Sequence, residues 1–228
     1  MKILITSGGT SEKIDQVRSI TNHASGNLGK IIAELFLQKG HQVTLVTTKS
    51  AVKPQAQAGL DINIVTDVAS LAETLEPLVK THQVLIHSMA VSDYTPVYMT
   101  DLAELQASDD VSQFFSKKNS EAKISSAADN QVLFLKKTPK IISLVKQWNP
   151  AIRLIGFKLL VQVPKEELFA VARTSLKNNQ AELIVANDLA DIHDQQHLAY
   201  LVDGSSQELA KTKTEIAQKI YERVTKDD

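Results

Sequence analysis

The sequence predicts an α/β domain built on a mainly parallel sheet with helices on both faces, and three observations predict it. Short β-branched runs recur along the chain, several of them almost continuously apolar, as strands covered on both faces must be. Segments with apolar residues at helical spacing lie between these runs. The first two runs enclose a helix with a start and a stop signal, the mark of a βαβ crossover. With 228 residues and 43% hydrophobic content, the chain can bury one substantial core, whereas two large domains would be cramped. The expected organisation is a single domain over residues 1–228.

The predicted strands are "KILIT" (Lys2 to Thr6), "QVTLVTT" (Gln42 to Thr48), "INIV" (Ile62 to Val65), "QVLIHSMAV" (Gln83 to Val91), "RLIGFKL" (Arg153 to Leu159), "ELIVAND" (Glu182 to Asp188) and "HLAYLVD" (His197 to Asp203). Between the first two, "SGNLGKIIAELFLQKG" places Leu28, Ile31, Ile32, Leu35 and Phe36 on one helical face, starts at a serine cap, Ser25, and stops at Gly40. "TPKIISLVKQW" predicts a helix with a threonine cap and proline at the first helical position, and "SSQE" (Ser205 to Glu208) has capping-box spacing before the last helix. Trp148 is expected to anchor packing at its helix end. The alternation makes the fold Rossmann-like.

One segment breaks the rhythm. From Thr100 the chain is rich in Ser, Asp, Lys and Ala, and "AKIS" and "VLFLKK" read as two strand pieces joined by a polar turn. A flexible arm and projecting hairpin are therefore expected at about 100–137, a common source of lids and dimer contacts.

Composition narrows the chemistry. The 25 basic and 26 acidic residues are well mixed and sum to a net charge of -1, so no long-range field gathers nucleic acid or anionic lipid. Any phosphate must be held locally. Cysteine is absent, which excludes disulfides, thiolate nucleophiles and thiolate metal sites. No stretch approaches the roughly 20 apolar residues of a membrane span, and the start is too short for a signal-peptide core. The expectation is a soluble cytoplasmic protein.

Gly8, Gly9, Gly26 and Gly29 are half of the chain's eight glycines, so backbone is expected to approach a ligand closely near the N-terminus. "SGGT" (Ser7, Gly8, Gly9 and Thr10) follows the first strand directly, where exposed N–H groups cradle anions; a plain tight turn is equally compatible. "ASGNLG" has Gly-x-x-Gly spacing but lies well beyond the strand end, and the second strand ends in "TTKS" without the acidic residue of an NAD-binding fold. With no Tyr-x-x-x-Lys pair either, an NADP-dependent oxidoreductase of Rossmann type is disfavoured. A second anion site at a helix N-terminus remains, with Ser25 as cap and Asn22 as amide donor.

"MAVSDYTP" brings Met89, Ala90 and Asp93 to a strand tip, where Asp93 suits base or ribose contacts, a metal, or an Asx turn. "GFK" (Gly156, Phe157 and Lys158) and Asn187 in "AND" end two further strands on the same rim. Arg173 and Lys177 share a helix face, and Lys123 is a lone cation on the polar arm; both read by default as solvated. His193 and His197 have i, i+4 spacing but bridge a polar turn without a carboxylate, a weak metal signal.

Taken in order, "SGGTSEKIDQVRSITNHASGNLG", "AVSDY", "EAKISS", "KKTPKIISLV", "IGFKL" and "ELIVAND" resemble the motifs of the phosphopantothenate-cysteine ligase family over Lys2 to Asp188. The resemblance implies the monofunctional form of that enzyme, a homodimer paired through its projecting strands, with 4'-phosphopantothenate, L-cysteine and CTP or ATP as substrates and Mg²⁺ as cofactor. It implies that Asn22 contacts substrate and acyl-nucleotide, that Lys123 turns this intermediate over, and that Asp93 and "GFK" meet the ribose and base. "SGGT" and "ASGNLG" become phosphate cradles. "KISS" and "GFKLL" are closer to the eukaryotic than the common bacterial pattern, and Arg173 and Lys177 stand in for triphosphate lysines of the bacterial form. A non-catalytic nucleotide-sensing module is the remaining alternative.

Overall fold

A computed structural model describes residues 1–193 and 196–226; Asp227 and Asp228, expected to be solvated tail, lie outside the described residues. The chain begins with β1 (Lys2–Ser7), a small pair β2 (Ser11–Lys13) and β3 (Ser19–Thr21), and then α1 (Asn27–Gln38). β4 (Gln42–Thr48), β5 (Leu60–Val65), α2 (Val68–Val79) and β6 (Val84–His87) follow. A hairpin of β7 (Tyr94–Asp101) and β8 (Gln131–Lys137) carries α3 (Leu102–Gln106) and a 3-10 turn (Val111–Ser116) between its strands. The chain continues through α4 (Ile141–Trp148), β9 (Arg153–Leu160), α5 (Lys165–Asn179) and β10 (Leu183–Asp188). It finishes with the short pair β11 (Ile192–His193) and β12 (Gln196–His197), the edge strands β13 (Ala199–Val202) and β14 (Gln207–Ala210), and α6 (Lys213–Thr225).

Eight strands form one sheet in the order β14-β13-β10-β9-β6-β1-β4-β5. Pairing is parallel from β10 to β5 and antiparallel at the β13 and β14 edge. This is the expected Rossmann-like α/β fold. Period-two alternation divides each strand between two cores: Leu4 and Leu85 pack with α2, α4 and α5, whereas Ile3, Ile5, Val84 and Ile86 pack with α1 and α6. Trp148 packs at the margin of the first core, as expected.

Four local expectations are corrected. The N-cap of α1 is Gly26, not Ser25; its φ of 79° is left-handed, and the Ser25 hydroxyl accepts instead from Asn27 N–H at 3.3 Å. Thr138 does not cap α4; its hydroxyl donates to the Ser92 carbonyl at 2.5 Å, tying the hairpin base to the loop after β6. "SSQE" forms the turn into β14, because the Asp203 carboxylate collects the Ser205 and Ser206 N–H groups; Thr212 caps α6. The partner of "VLFLKK" is β7, not "AKIS". Pro96 hides β7 from a propensity reading, yet it sits at a bulge where a missing donor is tolerated.

His87 ends β6 with its ring 6% exposed and Nδ1 2.8 Å from the Thr6 hydroxyl. Burial, with a smaller contribution from the Lys140 charge, pushes its pKa down from 6.5 to about 4. The fold therefore refuses a proton that the unfolded chain accepts, so stability is level above pH 6.5 and falls as the pH drops towards 4. The loss is on the order of 3 kcal/mol over that window. His87→Gln is expected to flatten the decline in melting temperature between pH 6.5 and 4.5; an unchanged slope in thermal melts would assign the decline to other groups.

Candidate active site

From β1 the chain winds to β4 and β5, then returns to lay β6 on the other side of β1. The sheet reverses its winding between β1 and β6, and ligands of open α/β sheets bind beyond the strand ends at such a point. The loops after these strands are laced together. Ala90 N–H donates to the Gly8 carbonyl at 2.9 Å, and Thr10 N–H to the Ala90 carbonyl at 3.0 Å. The fully buried Thr10 hydroxyl accepts from Ser92 N–H at 2.8 Å.

The glycines turn out to admit the chain to itself before they admit a ligand. A Cβ on Gly9 would lie 2.2 Å from the Asn22 carbonyl oxygen, and one on Gly29 would lie 2.3 Å from Ser7 Cβ. Residues 22–29 therefore fold directly over the end of β1, with Ser7 buried beneath α1 and its hydroxyl 3.4 Å from the Gly26 carbonyl. Asn22 is fixed here by its backbone N–H to Thr10 O at 3.2 Å and its carboxamide to Ala90 O at 3.3 Å.

Two cavities open on this rim. The larger, about 400 Å³, includes Gly8, Ser25, Gly26, Met89, Ala90 and Phe157 in its lining, with Asn187 at its side. The smaller, about 200 Å³, includes Met89, Asp93, Phe157 and Lys158. Met89, Phe157 and Leu159 border both, so an extended ligand can lie across the two. Gly156 lines neither cavity; a Cβ there would meet the core side chains Ile184 Cδ1 at 2.8 Å and Ile142 Cδ1 at 2.9 Å, so its lack of a side chain serves packing. Asp93 is exposed and paired with Lys140 at 3.2 Å.

Arg173 and Lys177 are not brought to either cavity. They share a face of α5, but Ser175 and Asn179, which line the smaller cavity, point the other way, some 200° around the helix from Arg173 in the case of Ser175. Arg173 instead donates to the Gln207 carboxamide on β14 at 2.6 Å. His193 and His197 lie on β11 and β12, in register with Gln196 and Ile192 respectively. Among the described residues no cluster of three or more His, Cys, Asp or Glu side chains forms, and no described helix is long and apolar enough to cross a membrane.

The arm is tied down at three places. Phe114 stacks on Phe134, with ring centroids 4.9 Å apart, and Lys117 pairs with Glu104 at 2.7 Å. The Asn119 carboxamide bonds both backbone groups of Met99, at 2.8 and 2.9 Å. Residues 122–124 then dock on the turn between β2 and β3. Gln16 N–H donates to Ala122 O at 3.0 Å, Ile124 N–H to the Asp15 carboxylate at 3.2 Å, and the Arg18 guanidinium to Ile124 O at 2.8 Å. The guanidinium of Arg18, 2.6 Å away, holds the Asp15 carboxyl far below the usual carboxylate range. Exposed Lys123 thus sits between two anchored neighbours. Sequence reasoning passed over Asp15 and Arg18, although their i, i+3 spacing in "IDQVR" was a visible signal.

The sequence model of the DNA/pantothenate metabolism flavoprotein C-terminal domain matches residues 1–104 and 101–227. The coenzyme A biosynthesis bifunctional protein CoaBC of Thermococcus kodakarensis is 32% identical over 227 residues, covering 99% of this chain and 51% of that protein. The chain thus spans about half the length of the curated relatives it matches. The crystal structure of the DNA/pantothenate metabolism flavoprotein from Streptococcus pneumoniae is 56% identical, superposes with a TM-score of 0.96, and is matched over 100% of both chains. The C-terminal domain of a CoaBC protein is 26% identical, with a TM-score of 0.72 over 100% of this chain and 96% of that one. By sequence over nearly its whole length and by fold, the chain belongs to the DNA/pantothenate metabolism flavoprotein C-terminal domain family.

Proposed function

We propose that this chain activates 4'-phosphopantothenate with CTP or ATP and joins the activated acid to L-cysteine, the ligase step of coenzyme A biosynthesis. The observation that carries the reading is the pair of adjoining cavities at the switch point, one facing a helix N-terminus and one holding an aspartate.

A carboxylate is a poor acyl donor because its oxide leaving group is too basic. One of its oxygens therefore attacks the nucleotide α-phosphorus, the bond to the β-phosphate breaks, and pyrophosphate leaves. The cysteine amine then attacks the acyl carbon, the bond to the nucleoside monophosphate breaks, and the amine gives up a proton. Negative charge develops at the carbonyl oxygen during this attack and needs a donor or a cation beside it.

The side chains divide this work by their positions. The smaller cavity offers Met89 and Phe157 as walls for a base and Asp93 as acceptor for ribose hydroxyls or an amino group. The first turn of α1 contains no acidic residue, and its N–H groups favour phosphate. To Asn22, held at the junction of the two loops, the reading assigns donation to the reacting acyl-nucleotide. Lys123 supplies the cation for the second attack. Magnesium enters as the partner of the triphosphate, since Mg²⁺ is typically bound by substrate phosphates, water and one or two carboxylates rather than an all-protein cage. A homodimer paired through the β7 and β8 hairpins, acting in the cytoplasm, completes the proposal.

Pyrophosphate release by the purified protein with Mg²⁺, 4'-phosphopantothenate and L-cysteine tests the reading, with CTP and ATP in parallel. Release that requires phosphopantothenate is expected, and the faster nucleotide identifies the co-substrate; nucleotide binding without release would fit a sensing module. Lys123→Gln is expected to release about one equivalent of pyrophosphate but to form amide at least about 100-fold more slowly. Asp15→Asn should loosen the arm, raising hydrogen exchange at residues 120–126 and slowing amide formation while leaving pyrophosphate release intact. In a Lys123→Gln background it should slow amide formation no further. An additive loss would separate Asp15 from the arm lysine.

A further inference from the structure

Eighteen described residues line the larger cavity, and none of them is Asp or Glu. Its charged and titratable members are His23, His197 and Lys213. On one side lies the N-terminus of α1, which has no side-chain cap and no acidic residue in its first turn. Asn187 also lines the cavity: it is 7% exposed, and its carboxamide makes no hydrogen bond within the described chain. A carboxamide left unpaired in the wall of a cavity has its donor and acceptor free for a bound group there. His197 also lines the cavity, and its Nδ1 is buried with no hydrogen-bond partner among the described residues.

Lys213 is the first residue of α6, directly after the Thr212 cap. Its ammonium pairs with no carboxylate of the described chain. Lys213 and His197 line the same cavity, and the charge of Lys213, after burial itself, lowers the pKa of His197. Helix side chains lean towards the N-terminus, so a lysine in the first turn reaches out over the rim instead of back along the helix.

Building on the ligase reading above, we propose that Lys213 and His197 add a side-chain cation and a ring nitrogen to the phosphate cradle that this reading sets between Asn187 and the N-terminus of α1. The group bound there is a phosphate of one of the two substrates, either the phosphomonoester of phosphopantothenate or the polyphosphate of the nucleotide. Lys213 supplies the charge, Asn187 a neutral donor that orients the oxygens, and His197 a ring nitrogen that accepts or donates according to the ionisation of the phosphate. This gives the triphosphate or phosphomonoester a side-chain cation that Arg173 and Lys177 are not placed to provide.

Calorimetric titration of wild type and Lys213→Met with 4'-phosphopantothenate, with pantothenate, and with CTP and ATP in Mg²⁺ tests the assignment. Lys213→Met is expected to weaken one phosphate-bearing ligand at least about tenfold, the weight of one charge-assisted contact, and to leave pantothenate unchanged. The ligand that weakens identifies the phosphate. Lys213→Arg should restore most of the affinity, and the His197 ring signals in NMR should shift with that ligand in wild type but much less in Lys213→Met. Wild-type binding matched by Lys213→Met for every ligand would overturn the subsite alone. Wild-type protein that binds none of the phosphate compounds would overturn the ligase reading and the subsite with it.

Discussion

The close contact between the end of β1 and residues 22–29 is the constraint on which the rest of the rim depends. Gly9 and Gly29 let the Asn22 backbone and the first turn of α1 lie within a distance that no Cβ would allow. That contact fixes Asn22 against the loop after β6, aims the start of α1 at the cavity, and seats Ser7 as the buried support beneath it. The same winding places β6 beside β1, so the loop after β6 and the start of α1 share one cavity wall. Removing any one of these elements would leave the others without a partner to be positioned against.

Much of the fold was legible because its signals are local and repeated. The strands of the central sheet declare themselves by apolar β-branched runs, and α1 by one apolar face closed at Gly40. What misled was local chemistry with two outlets. Thr138 and Ser205 belong to residue types that cap helices, but each is captured by a nearer competitor: the Ser92 carbonyl for Thr138 and the Asp203 carboxylate for Ser205. Such competition depends on where distant strands place their acceptors, which sequence spacing does not encode. β7 was missed for a related reason, since Pro96 argues against a strand unless the bulge that receives it is known.

The site was legible in its outline and less so in its cations. Residues read at strand ends, such as Met89, Asp93, Phe157 and Asn187, line the two cavities because a parallel sheet delivers every strand end to the same rim. Gly9 and Gly29 stand where chain meets chain, and a glycine needed for close backbone approach looks the same in sequence whether the neighbour is a phosphate or another stretch of chain. Arg173 and Lys177 were sought on α5 because they form a basic face, yet only the rotation of the helix about its axis decides which face meets a cavity. Lys213 carried a sequence signal, a lysine directly after a threonine cap, but nothing local says that α6 starts on the ligand side.

That last point follows from the antiparallel edge. β13 runs down from the rim and β14 climbs back to it, so α6 starts at the same level as α1 although nearly the whole described chain separates them. An anion gripped between the two helix starts would therefore staple the first crossover of the fold to its final helix. Occupancy of the cavity would then favour closure of the chain into its finished topology, and a nascent or clipped protein lacking α6 would hold phosphate more weakly even with every residue of the central sheet in place.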